Sequence, residues 1–273
     1  MFLHGKRVLV TGVVSTKSIA HAAARLAIEQ GAQVTLTGFG RGLRITQRLG
    51  DDLGAEVLEL DVTQPEHIAA AVRRIEEKWG GLDGILHSIA FAPSEALDGG
   101  FLTAEWEQVA TALHVSTYSY VALANAFAPL MPGGSVVGLD FDATVVWPGY
   151  DWMGVAKAGL ESANRYLAHN LGPRGIRVNL IASGPLKTIA ANAIKSFGVF
   201  ETVWRERAPL GWDEEDATPV GRAVCALWSD WLPAVTGEVI HVDGGVHAVG
   251  GTAPKAAEIT EITEITGDVA AIR

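Results

Sequence analysis

The stretch RVLVTGVVSTKSIAHAAARLAIEQ, residues 7–30, runs from a β-branched apolar segment through a glycine turn into a helical pattern. Val8, Leu9 and Val10 form the continuous apolar run of a strand buried on both faces. From Ile19 onward the apolar residues return every three or four positions, the period of a helix with one buried side. Gly12 separates the two patterns. A buried strand followed at once by an amphipathic helix is half of a strand–helix–strand crossover, so a parallel sheet is predicted.

The rest of the chain extends that unit. AQVTLTG (32–38), EVLEL (56–60), GILHS (84–88), SVVGL (135–139), IRVNLI (176–181) and EVIHVDGG (238–245) read as six more buried strands. Helical patterns separate several of them: PEHIAAAVRRIEEKWG, TAEWEQVATALHVSTYSYVALANAFAPLM and MGVAKAGLESANRYLAHNLG. The alternation predicts a single-domain α/β protein of Rossmann type, a doubly wound parallel sheet of seven strands with helices on both faces. The 273 residues, 48% hydrophobic and 19% charged, fit one fully cored domain spanning residues 1–250. Residues 251–273 contain the Glu-Ile-Thr triplets of AAEITEITEITGDVAAIR. Following a Gly/Pro stretch, they read as an acidic low-complexity tail, with docking of its isoleucines on a partner as the second reading.

Net charge is −10, with a pI near 5.2, which argues against a broad nucleic-acid or anionic-membrane surface. The lone Cys225 sits in the apolar helical run RAVCALWSDWL, where a buried structural thiol is expected. No segment approaches membrane-spanning length, and MFLHGKRVLVTG passes directly into the first strand. A cytoplasmic protein is expected. No metal site is expected.

In an open parallel sheet, ligands bind beyond the carboxyl ends of the strands. Gly12 and Ser18 flank the first turn, where a helix start offers N–H groups to a pyrophosphate. The full G-x-G-x-x-G pattern is absent, and Ser18 is equally suited to act only as an N-cap. Phe39 ends the second strand, placed to cover an adenine or to close the core. Asp61 and Val62 follow the third, where Asp61 suits either the adenine amino group or the cap of a helix near Pro65. Ser88, Ile89 and Ala90 leave the fourth strand alongside a ribose and nicotinamide, or as an ordinary strand exit. Gly184, Leu186 and Thr188 follow the sixth, in a turn suited to a carboxamide and a phosphate.

The segment GYDWMGVAK places Tyr150 and Lys157 seven residues apart. On a helix this is two turns, about 10 Å of rise, with both side chains on one face. Met153 stands four before Lys157, so the Tyr-x3-Lys pair of ketone reductases is absent. Ketone reduction needs an acid at the oxygen bonded to the hydride acceptor. Reduction of an enoyl thioester puts charge on an oxygen further along the conjugated chain, which suits a donor displaced by a turn. The competing readings are a capping aromatic and a solvated lysine.

Together, TGVVSTKSIA, LTGF, LELDV, LHSIAFAP, GLDFD, YDWMGVAKAGLES, RVNLIASGPLKT and TGEVIHVDGG resemble the NAD-dependent enoyl-acyl-carrier-protein reductases. These are a divergent branch of the short-chain dehydrogenase/reductases, and the resemblance covers roughly residues 3 to 248. LDFDATVVWPGYDWMGVAK looks closest to the mycobacterial type. The resemblance implies that Tyr150 stabilises the enolate oxygen, that Lys157 binds the nicotinamide ribose, and that Phe141 occupies an aromatic position near the hydride path. It implies cofactor contacts for Ser18, Ile19, Asp61, Val62, Ile89, Ala90, Leu186 and Thr188. It further implies NADH as cofactor, an enoyl thioester on acyl carrier protein or coenzyme A as partner, a homotetramer, and an acyl-covering segment at 188–211, shorter here than in the mycobacterial type. The rivals are a 3-oxoacyl or small-ketone reductase of the same fold and a non-catalytic dinucleotide sensor.

Overall fold

The computed structural model describes residues 1–189, 191 and 194–251. The Glu-Ile-Thr repeat lies outside the described residues. Seven strands form one sheet: β1 (Arg7–Thr11), β2 (Gln33–Gly38), β3 (Glu56–Glu59), β4 (Gly84–His87), β5 (Ser135–Asp140), β6 (Arg177–Ser183) and β7 (Val239–Val242). Their order is β3-β2-β1-β4-β5-β6-β7, and every neighbouring pair is parallel. The chain winds outward from β1 to β3, then restarts on the other side at β4. The crevice beyond β1 and β4 is therefore the switch point at which such sheets bind ligands.

Alternating strand residues divide the core into two layers. Val8 and Val10 of β1 face one layer and Leu9 faces the other. The first layer is closed by α1 (Ile19–Glu29) and α8 (Thr218–Trp228). Ala20, Ala23, Ala24 and Ala27 present a small-residue face to Val220 and Val224. At Gly221 an added Cβ would lie 3.1 Å from the backbone of Ala22 and Ala23, so these two helices meet nearly backbone to backbone. The second layer is closed by α3 (Pro65–Trp79), α5 (Ser119–Phe127) and α6 (Asp151–Leu171). Ile75, Leu123, Phe127 and Leu160 are buried there.

Two elements depart from the sequence expectation. A helix, α2 (Gly40–Leu53), joins β2 to β3, although its GRGLRITQRLGDDL sequence buries only Thr46, Leu49 and Gly50. Its apolar residues do share one face, but Gly40, Gly42 and Gly50 and a mostly polar composition argue against a helix on propensity. The expected single helix across 103–131 is α4 (Trp106–Leu113), a π-helical turn at His114–Tyr118, and α5. The side chains of that turn are committed elsewhere. Ser116 Oγ accepts from Phe91 N at 3.0 Å and Thr117 Oγ1 donates to the Ala156 carbonyl at 2.7 Å. Within 188–211, α7 (Phe197–Arg207) lies over the carboxyl end of the sheet. Phe200 and Trp204 are its buried side chains.

Candidate active site

The carboxyl ends of the strands open into one cavity of about 700 Å³. Every site residue expected from sequence lines it: Gly12, Ser18, Ile19, Phe39, Asp61, Val62, Ser88, Ile89, Ala90, Phe141, Tyr150, Lys157, Gly184, Leu186 and Thr188.

At the switch point, Thr11 Oγ1 donates to the Leu86 carbonyl and accepts from Ser88 N, both at 2.9 Å, clamping the ends of β1 and β4 together. Gly12 then turns with φ +78°, and a Cβ there would come within 1.9 Å of the Ser88 carbonyl oxygen. The glycine is required on both counts. The Ser18 hydroxyl accepts from His21 N at 3.1 Å, so Ser18 is the N-cap of α1. It also faces the cavity, and with it the positive end of α1. Phe39 is half exposed at the cavity wall and closes no core. Asp61 caps no helix, because α3 starts after Gln64. Its Oδ1 instead accepts from Thr63 N and Oγ1 at 2.9 and 2.7 Å. A dinucleotide fits this arrangement: a side-chain-free turn at Gly12, a helix N-terminus behind it, and Phe39 with Asp61 at the far end.

Tyr150 occupies the N-cap position of α6 but makes no side-chain capping bond. Burial and the charge of Asp140 raise its phenol well above the ordinary tyrosine range, so it is a neutral hydrogen-bond donor at working pH. Lys157 is not a solvated lysine. It is buried, and its ammonium donates to the Leu139 carbonyl at 2.7 Å. Burial lowers its pKa and Asp140 opposes that shift. Met153 lies between the two along the helix and also lines the cavity.

The other end of the cavity is aromatic. The Phe141 ring centroid lies 5.3 Å from those of Tyr150 and Trp147, 5.5 Å from Phe200 and 5.7 Å from Trp204. Trp147 is fixed by Nε1 donating to the Asp142 carbonyl at 2.7 Å, and Trp204 by Nε1 donating to Asp243 at 2.9 Å. Gly184 has no room for a side chain, since a Cβ would meet Trp204 Nε1 and Trp212 Cε2 at 2.6 Å. Asp98 ties the covering segment down, its carboxylate accepting from Lys195 N and Ser196 N at 3.0 and 3.2 Å.

Comparison with known proteins agrees with this layout. The model of the enoyl-(acyl carrier protein) reductase family matches residues 12–247. The chain belongs to that family. It is 46% identical to the NADH enoyl-acyl-carrier-protein reductase of Mycolicibacterium smegmatis over 89% of this chain and 96% of that protein. The corresponding reductase of Mycobacterium avium is 45% identical over the same shares. That of Aquifex aeolicus is 40% identical over 91% of this chain and 93% of its own.

Four site residues were not legible in the sequence. Thr11 reads there as the last residue of a strand. Ser116 reads as one position of a long helix. His87, buried beside the cavity, donates or accepts through Nε2 with Ser119 Oγ at 2.7 Å, and burial holds its pKa at about 3. Asp140 lines the cavity at the end of β5 while almost wholly buried. Its neighbour Phe141 was the recognisable residue of GLDFD. Cys225 is buried as expected, its thiol pushed up to about 12 by burial.

Proposed function

We infer that the protein catalyses NADH-dependent reduction of the double bond of a trans-2-enoyl thioester carried on acyl carrier protein, a step of fatty-acid biosynthesis. The single observation that carries this reading is the placement of Tyr150 and Lys157 on one cavity wall with Met153 at the turn between them, in a chain of the enoyl-(acyl carrier protein) reductase family. NADH held in the cavity would supply a hydride to the β-carbon, leaving NAD⁺, and a proton delivered from water to the α-carbon of the resulting enolate would complete the reduction.

The residues of the chain do the rest. Lys157 donates to the ribose hydroxyls and fixes the cofactor beside the substrate. The Tyr150 hydroxyl donates to the thioester oxygen, where negative charge grows as hydride arrives. A neutral phenol in an apolar wall needs no reorganisation to meet that charge, so its bond strengthens in the transition state. Phe141 has no proton to give and shapes the apolar path between Tyr150 and the covering segment. Gly12, Ser18, Ile19, Phe39, Asp61, Val62, Ser88, Ile89, Ala90, Gly184, Leu186 and Thr188 form the cofactor surface in this reading. The enzyme acts in the cytoplasm; no described helix is long and apolar enough to cross a membrane. It assembles as a homotetramer through faces where Tyr118, Val155 and Tyr166 are exposed.

Stopped-flow oxidation of NADH in the presence of a trans-2-enoyl thioester, beside a 3-oxoacyl thioester of equal length, tests the reaction. Rapid oxidation is expected with the first only. Faster turnover of the 3-oxoacyl compound would assign the protein to the ketone-reducing class. Light scattering of the purified protein tests the tetramer.

A further inference from the structure

Asp140 is a buried carboxylate to which the catalytic reading gives no task. It is 5% exposed, ends β5 and lines the cavity. Neither of its oxygens meets a hydrogen-bond donor among the described residues. A carboxylate in such surroundings is costly unless a nearby charge compensates it. The Lys157 ammonium is held at the carbonyl of Leu139, the residue immediately before Asp140, at 2.7 Å. That carbonyl uses one of three ammonium protons and offers no formal charge in return.

We propose that Asp140 is a positioning residue, the buried countercharge that keeps Lys157 an ammonium at the ribose end of the cavity. The inference rests on the reading of Lys157 as ribose donor and adds the group that sustains its charge. Of the surrounding titratable groups, Glu161 also reaches Asp140, close enough to raise it by charge and by a side-chain hydrogen bond. Glu161, one turn beyond Lys157 on α6, is a second negative charge near Asp140, and its own Oε1 accepts from Ala143 N at 3.1 Å. His87 on β4 is held neutral by burial and by Lys157. Tyr120 on α5 and Tyr150 at the start of α6 are kept as phenols by burial and by Asp140 itself. Lys157 is thus the cation in this group.

The two titrations mesh. Burial raises Asp140 to about 7, opposed by Lys157. Burial lowers Lys157, opposed by Asp140. As pH rises through about 7 the carboxyl ionises, and above that range its negative charge opposes the loss of the lysine proton. Replacing Asp140 with a neutral residue leaves burial to act on Lys157 alone, and the ammonium is then lost at lower pH.

The test is NADH binding by the full-length protein from about pH 6 to about pH 9.5, for wild type, Asp140→Asn, Asp140→Ser, Asp140→Glu and Lys157→Met. Wild type and Asp140→Glu should change affinity less than about threefold across the range. The two neutral variants should match wild type within about threefold at pH 6, then weaken by about tenfold per pH unit once above the lowered lysine pKa. A profile parallel to wild type, or a uniform weakening already present at pH 6, would overturn the proposal, the second outcome being that of a merely structural residue. Lys157→Met should bind weakly at every pH, and wild-type affinity in that variant would instead overturn the ribose reading. Nitrogen-15 NMR of lysine-labelled apoprotein tests the countercharge independently. The Lys157 Nζ titration should fall by at least about one pH unit in Asp140→Asn and Asp140→Ser, and an unmoved midpoint in either would sink it.

Discussion

The two ends of the cavity are built from different materials. The end proposed for the cofactor is largely backbone: a glycine turn with no room for a methyl group, a helix N-terminus, and strand ends clamped by the Thr11 hydroxyl. The end proposed for the acyl chain is side chain: Phe141, Trp147, Phe200 and Trp204 packed at ring separations of 5.1 to 5.9 Å, drawn from the strand-β5 exit and α7. Backbone surfaces tolerate little change in sequence, because the constraint is on φ and on contact distance. Aromatic surfaces can repack as long as volume is conserved. The cofactor end should therefore fail abruptly on substitution, and the acyl end should shift its preference.

The sharpest break is expected at Gly12. Gly12→Ala places a methyl within 1.9 Å of the Ser88 carbonyl and forces an L-residue to φ +78°. Left-handed backbone costs about 1–2 kcal/mol and overpacking about 1–3 kcal/mol more, so β1 and β4 must part at the turn proposed to receive NADH. Both melting temperature and NADH affinity should fall. A variant that binds NADH normally would show that this turn does not carry the cofactor.

Tyr150 and Lys157 divide the same contrast between chemistry and binding. Tyr150→Phe should lower turnover by about 10²–10³-fold, the scale of losing one donor to a developing oxyanion, with NADH affinity little changed. Lys157→Met should do the reverse, costing NADH binding about 2–3 kcal/mol if both ribose bonds are lost. Unchanged turnover in Tyr150→Phe under chemistry-limited conditions would remove the tyrosine from the reaction.

What the sequence disclosed follows the same division. Gly12, Ser18, Asp61 and Thr188 sit at strand–helix junctions, and junctions are visible because the hydrophobic period changes there. Tyr150 and Lys157 were visible through their spacing. Thr11, Ser116 and His87 were not, since each acts through a contact 25 to 77 residues away in sequence. Asp140 lay next to the recognised Phe141, yet only the buried, unpartnered state of its carboxylate gives it meaning. The π-helical turn at His114–Tyr118 was hidden within a helical pattern that continues on both sides. The α2 helix was hidden by its three glycines and its mostly polar composition. Trp147 lies outside any helix or strand, and although Trp204 follows Phe197 and Phe200 at helical spacing, the packing of both tryptophans on Phe141 is decided by the fold that brings β5 under α7.

At the acyl end a shift rather than a failure is expected. Each additional methylene of the substrate contributes about 0.8 kcal/mol while it is buried, and the ring wall of Phe141 and Phe200, backed by Trp147 and Trp204, sets where burial stops. Specificity constants should rise across short and medium enoyl chains and then level off. Trp147→Ala should move that plateau to longer chains. Constants that keep climbing into very long chains in the unaltered protein would show that the covering segment, held by Asp98 at Lys195 and Ser196, opens to admit them.

The smallest effect is expected where the two materials meet. Ala90 follows β4 on the cavity wall, exposed and adjacent to Phe91, whose backbone is fixed by Ser116 at 3.0 Å. With the backbone held, its methyl cannot retreat from a rigid ring stacked in the nicotinamide region, whereas a flexible acyl chain can bend past it. Ala90→Gly should therefore tighten a flat aromatic inhibitor such as a diphenyl ether, by no more than the roughly 1–3 kcal/mol that overpacking costs, while enoyl turnover stays within about twofold. Inhibition constants measured beside turnover decide it. Equal affinity in both proteins would mean that the wall at Ala90 yields like the aromatic end rather than resisting like the glycine turn, and the boundary between the two materials would then lie closer to Gly12.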